Sequence, residues 1–158
     1  MIKLVASDID GTLLRYGEQK LNPELFDIIR QLKKKGIHFI AASGRQYASI
    51  VNLLEPVKDE ISYITENGSL CIHNGEVLSR GTIDRELGIR IFEEIRKREH
   101  CDAVLSCEEA CYIETADKEF FRHLVEDMAN KVIRVDDLSN VASPFLKIAI
   151  FDNVTPEE

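Results

Sequence analysis

The chain has no tryptophan, only four cysteines and four prolines, and aromatic residues fill just 7% of its 158 positions. The cysteines, Cys71, Cys101, Cys107 and Cys111, form no C-x-x-C pair. That spacing argues against a zinc ribbon or a disulfide framework and points to reduced thiols in a cytoplasmic protein. No apolar run approaches the roughly 20 residues that cross a bilayer as a helix, so no membrane partner is expected. No secretory leader is expected, because Met1-Ile2-Lys3 runs directly into the first strand. A basic excess is missing too. The formal net charge is −8 and the isoelectric point is near 5.1. Binding a phosphate polymer needs a basic face, so a nucleic-acid partner is not expected. Small phosphorylated ligands remain open, since a bound metal ion reverses the local charge.

What the chain does have is a 44% apolar content, enough for a real core, and one informative stretch. Lys3-Leu4-Val5-Ala6-Ser7-Asp8-Ile9-Asp10-Gly11-Thr12-Leu13-Leu14 reads as a buried strand delivering two carboxylates to its C-terminal end. At the alternating pitch of a strand, Asp8 and Asp10 point the same way and Ile9 the other. Two like charges so close repel unless a cation sits between them. Mg²⁺, which prefers oxygen ligands, would resolve the conflict.

Asn22-Pro23 opens a helix whose Leu25, Ile28, Ile29 and Leu32 share a face, with Lys33, Lys34 and Lys35 at its end and Gly36 as the stop. The lysines read as a solvated helix end or as a phosphate patch. Residues 37–42 form a second apolar strand, which makes a βαβ unit and a parallel pair. It ends in Ser43-Gly44-Arg45, followed by a helix over Gln46 to Leu54. A third strand over Ile61 to Thr65 closes on Glu66-Asn67-Gly68. Asn74-Gly75 then marks a hairpin. Beyond residue 81 the pattern is α-β-β-α-β-β: a helix from Asp84 to Arg98, strands at 103–107 and 111–115, a helix after Asp117, and strands at 132–135 and 145–151. Gly88 should weaken the first of these helices by about 1 kcal/mol. Phe121, Leu124, Val125 and Met128 are the expected buried face of the second.

The N-terminal run resembles the first motif of the haloacid dehalogenase-like phosphohydrolases, an apolar strand followed by D-x-D-G-T. The resemblance implies that Asp8 is the nucleophile that becomes an aspartyl-phosphate. It also implies that Asp10 is the general acid/base and that both hold Mg²⁺. Thr12 would line the site. Ser43-Gly44-Arg45 is similar to the second motif of that family, where a hydroxyl at a strand end bonds the transferring phosphoryl group. Exposed backbone N–H groups at the following helix would add to that anion site, and glycine permits close approach. Arg45 reads equally as a phosphate contact or an ion-pair partner. Glu66-Asn67-Gly68 resembles the Cof-type branch, with Asn67 either lining the site or simply making a turn.

The implied fold class is α/β: a Rossmann-like, parallel-sheet core over residues 1–80 and an inserted, incomplete α/β cap over 81–158. The implied substrate is a small phosphorylated metabolite. The family's third-motif lysine and fourth-motif G-D-x-x-N-D have no counterpart here. Asp152-Asn153 is a poor substitute, because the glycine and second acidic residue are absent, and so is Lys147, which lies within a strand among alternating apolar neighbours. Such a set should bind Mg²⁺ weakly and turn over slowly, and open sheet edges would invite self-association. Two other readings are a non-catalytic phosphate-binding protein descended from a shortened gene and a phospho-accepting receiver domain. D-x-D-G-T disfavours the receiver, whose acidic cluster comes from different strands.

Overall fold

The acidic run does follow a strand, but an exposed one. In the computed structural model, which describes residues 1–15, 17–115 and 117–152, β1 (Leu4–Asp8) forms one edge of a five-stranded sheet ordered β1-β2-β3-β4-β5. The expectation of a buried strand is corrected. Leu4 is 49% exposed and burial alternates along β1, because no described residue pairs with its outer side. The remaining elements of this sheet are α1 (Glu24–Lys34), β2 (His38–Ala42), α2 (Tyr47–Leu53), β3 (Ser62–Thr65), β4 (Leu70–His73) and β5 (Glu76–Arg80). β1, β2 and β3 are parallel, while β3-β4 and β4-β5 are antiparallel. The sheet is therefore mixed, not purely parallel. Asn74 and Gly75 join β4 to β5 with φ of 51° and 78°, the pair of left-handed residues that a two-residue hairpin turn favours.

Residues Met1–Arg80 make one compact unit and Gly81–Glu158 a second. In the first, Asn22 Oδ1 accepts the Glu24 N–H at 3.0 Å and starts α1. Ile29 faces the core at 1% exposure, but Ile28 is 52% exposed and does not share the buried face. Neighbouring residues on a helix lie about 100° apart, so only one of the two can point fully inward.

The second unit contains α3 (Arg85–Ile95), β6 (Cys101–Ser106), β7 (Cys111–Ile113), α4 (Lys118–Arg122), β8 (Val132–Arg134) and β9 (Lys147–Asp152). Its sheet runs β8-β7-β6-β9. Successive residues of β6 serve opposite faces, as strand alternation demands. Leu105 packs with Phe92, Leu138 and Phe145, whereas Val104 packs with Ile113, Phe120 and Leu124. Gly88 of α3 is a packing requirement: a Cβ there would lie 2.5 Å from the Phe145 ring. α4 continues as a π-helical turn over His123–Asp127. Phe120 and Leu124, four residues apart on one face, are buried, and the wider turn shifts the phase beyond them, leaving Val125 and Met128 each 37% exposed. Of the expected face, Leu124 is buried and Phe121 packs half-buried against the same cluster, while Val125 and Met128 are corrected to exposed positions. Tyr16 in the loop after the first motif, and Asn153, lie outside the described residues.

Candidate active site

The site is built on the C-terminal ends of β1, β2 and β3. Parallel register sets Asp8 opposite Ala42, so Ser43 begins the loop directly beside the acidic run. After Asp8 the chain turns sharply. The Ile9 carbonyl accepts from the N–H groups of Thr12, Leu13 and Leu14 at 3.2, 2.9 and 2.8 Å. Ile9 is fully buried and Leu14 nearly so, while Asp8 and Asp10 are exposed. The apolar side chains anchor the turn, and the carboxylates are left facing solvent.

Each carboxylate has its own partners. Thr12 Oγ1 donates to Asp8 Oδ2 at 3.2 Å. Ser43 Oγ donates to Asp10 Oδ2 at 3.3 Å. The Arg45 guanidinium forks onto Asp10, with Nε 3.0 Å from both oxygens and Nη2 2.7 Å from Oδ1. The side chain of Asp10 is 47% exposed and that of Arg45 22%. A pair so open to water contributes at most about 1 kcal/mol after screening. Its consequence is directional: the fork fixes the plane of the Asp10 carboxylate.

The Ser43-Gly44-Arg45 loop is tied down on both sides. Ser43 N–H donates to the Ile64 carbonyl at 2.9 Å, and Glu66 N–H donates to the Arg45 carbonyl at 3.2 Å. Arg45 N–H donates to Ser43 Oγ at 3.2 Å. Two of the backbone donors expected to face an anion are therefore engaged within the protein. α2 has only seven residues, too short for a strong terminal field. Asn67 lies across the loop. A Cβ on Gly44 would sit 2.4 Å from Asn67 Oδ1, so glycine is what allows β3's turn to approach. Asn67 itself has φ of 57°.

The structure thus brings Asp8, Asp10, Thr12, Ser43, Gly44, Arg45 and Asn67 into one set of adjoining loops. Sequence reasoning missed the Arg45–Asp10 fork as a definite contact. It also passed over Gln46, 3% exposed beside this loop, and noted Glu66, 1% exposed, only as part of the Glu66-Asn67-Gly68 turn. The sequence signal at Gln46 is a polar residue directly after a strand-end motif. Lys147 and Asp152 belong to β9 of the second unit, opposite Ser106 and Cys101. Among the described residues, no group of three or more His, Cys, Asp or Glu could hold a metal ion.

A family model described as haloacid dehalogenase-like hydrolase matches residues 5–157. The chain belongs to this family. The Escherichia coli protein 5-amino-6-(5-phospho-D-ribitylamino)uracil phosphatase YbjI is 25% identical over 150 residues, covering 94% of this chain and 55% of that protein. Bacillus subtilis YcsE, which carries the same enzyme name, is 40% identical over 68 residues, 43% of this chain and 27% of its own length. A crystal structure from Eubacterium rectale superposes with a TM-score of 0.84 at 30% identity, over 96% of this chain and 58% of that one. The chain therefore spans little more than half the length of the Escherichia coli and Eubacterium rectale proteins. The branch is the Cof-type one, and the α/β fold is that of the family.

Proposed function

We propose that this chain carries the nucleophile half of a Mg²⁺-dependent phosphomonoester hydrolase acting in the cytoplasm. The observation that carries the reading is the pairing of an exposed Asp8 with an Asp10 held by Ser43 and Arg45 at the adjacent strand end. An Asp8 oxygen attacks phosphorus and the bond to the leaving oxygen breaks. Asp10 gives that oxygen its proton. Water then attacks the aspartyl-phosphate while Asp10 takes the proton, and phosphate leaves with Asp8 restored. Dividing the hydrolysis in two gives a good nucleophile and a good leaving group at each step. Ser43 and the Gly44 amide hold phosphoryl oxygens. Thr12 orients Asp8, Arg45 orients Asp10, and Asn67 lines the approach.

The donors here are hard oxygens, which suit Mg²⁺. The Asp8 carboxylate and the backbone carbonyl of Asp10 would hold it, with the Asp10 side chain oriented by Arg45 and kept for proton transfer. When bound, the ion would neutralise charge on the phosphoryl oxygens. On this reading the first unit is the catalytic core and the second is part of the cap. The substrate is a small phosphorylated metabolite, and the relatives' 5-amino-6-(5-phospho-D-ribitylamino)uracil is one of that class. No nucleic acid or membrane takes part. The outer edge of β9, where Ile150 is 60% exposed, is where copies would associate.

The 158 residues contain no third-motif lysine and no fourth-motif acidic cluster, so positioning and charge stabilisation are incomplete. Turnover of p-nitrophenyl phosphate with Mg²⁺ should stay below about 1 s⁻¹, the low end of the usual enzyme range, and should vanish in Asp8→Asn. Turnover that survives in Asp8→Asn would assign the nucleophile elsewhere. Phosphate binding without any turnover would favour the non-catalytic reading.

A further inference from the structure

β2, β3 and β4 carry a second polar cluster, at the end of β2 away from Ser43. His38 is the first residue of β2, Ser62 the first of β3 and His73 the last of β4. Ser62 Oγ lies 2.7 Å from His38 Nε2 and 2.6 Å from His73 Nδ1. Asn74 Nδ2 lies 3.1 Å from His73 Nε2. The two rings meet edge to face with centroids 5.1 Å apart. Ser62 is only 6% exposed, so water is a poor replacement for a lost partner.

Proton counting assigns every group. A hydroxyl has one hydrogen to donate, so it serves one ring nitrogen and must accept from the other. The Asn74 amide donor faces His73 Nε2 and makes that nitrogen an acceptor. The His73 proton is then on Nδ1 and donates to Ser62 Oγ. Ser62 O–H donates to His38 Nε2, and His38 carries its own proton on Nδ1. With Asn74 so oriented, this is the one arrangement that satisfies the whole chain.

We propose that the His38–Ser62–His73 chain is a proton-sensitive stitch across β2, β3 and β4, broken when His38 Nε2 takes up a proton. Protonation converts Nε2 from acceptor to donor. Two N–H groups then face one serine oxygen, and the buried Ser62 hydrogen has no acceptor. The new charge faces His73 from β4 and Lys33 from α1, whose ammonium lies 3.3 Å from Glu60. No carboxylate among the described residues accepts a hydrogen bond from His38. Burial first, then His73 and Lys33, hold His38 below the usual histidine range. The unfolded chain therefore binds this proton more readily than the folded one. The stitch stabilises fully above the unfolded value of 6.5 and is lost as the pH falls from there through the lower folded value. Because β2 and β3 end at Ser43 and at Glu66-Asn67-Gly68, the loosened strands are those that carry the site loops.

Two measurements on the 158-residue chain test this. Imidazole nitrogen NMR above neutral pH should show His38 and His73 both protonated on Nδ1. The urea midpoint should fall as the pH drops from roughly 7 to 5, and His38→Gln and Ser62→Ala should each flatten that fall. A proton on His38 Nε2 in the folded chain would overturn the proposal. So would a wild-type midpoint that does not move, or an undiminished slope in His38→Gln. The NMR result decides the matter even where a variant fails to fold.

Discussion

At Arg45 a single side chain does what a sequence motif only hints at. Its fork reaches both oxygens of Asp10, and a lysine could not reproduce that planar match. Arg45→Lys should therefore change stability by less than about 1 kcal/mol. Turnover of p-nitrophenyl phosphate should fall on the order of tenfold to a hundredfold, the worth of one or two charge-assisted hydrogen bonds. Urea unfolding and steady-state kinetics on the same preparation check both halves. A large stability loss with unchanged kcat would mark Arg45 as merely structural. That Asp8 and Ser43 stand at neighbouring strand ends was legible in the sequence, because the βαβ crossover leaves little freedom in where those ends lie, whereas Asp10 sits in the turn after β1, where strand alternation no longer applies. The choice between phosphate contact and ion pair at Arg45 was not legible. It depends on a three-dimensional approach of two loops that no local spacing encodes.

The helices show where local pattern fails. Intrinsic propensity treats Gly88 as a defect worth about 1 kcal/mol against alanine. The packing reverses that judgement, since an added Cβ would strike Phe145 at 2.5 Å. Gly88→Ala should lower stability by roughly 1–3 kcal/mol, the usual cost of overpacking, with m unchanged in urea unfolding. A gain in stability would mean that the Phe145 ring yields freely. In α4 the periodicity of 3.6 residues selected Phe121, Leu124, Val125 and Met128; Leu124 and Phe121 do pack on the core, but past the π-helical turn at His123–Asp127 Val125 and Met128 face outward. A five-residue hydrogen-bonded turn is invisible to a fixed-period reading. The exposure of β1 was missed for a related reason. A run of apolar residues tells of strand propensity, while its place at the sheet edge is set by which strands flank it.

At the scale of the whole molecule, the order of elements was legible almost throughout: βαβαβ with a hairpin, then α-β-β-α-β-β. Turn residues and crossover rules constrain that order strongly. These residues span 55% of the Escherichia coli relative, so binding and turnover are separate properties of the chain. Metal binding tests the site independently of turnover. Mg²⁺ titrated into the nitrogen-15-labelled chain should shift the amides of residues 8–14 and 43–45 selectively. Saturation should be reached only in the millimolar range, as befits one carboxylate, one carbonyl and water. The shifts should disappear in Asp8→Asn. Shifts spread elsewhere on the protein, or equal in wild type and Asp8→Asn, would contradict the assignment of Asp8 and its neighbours as the catalytic locus.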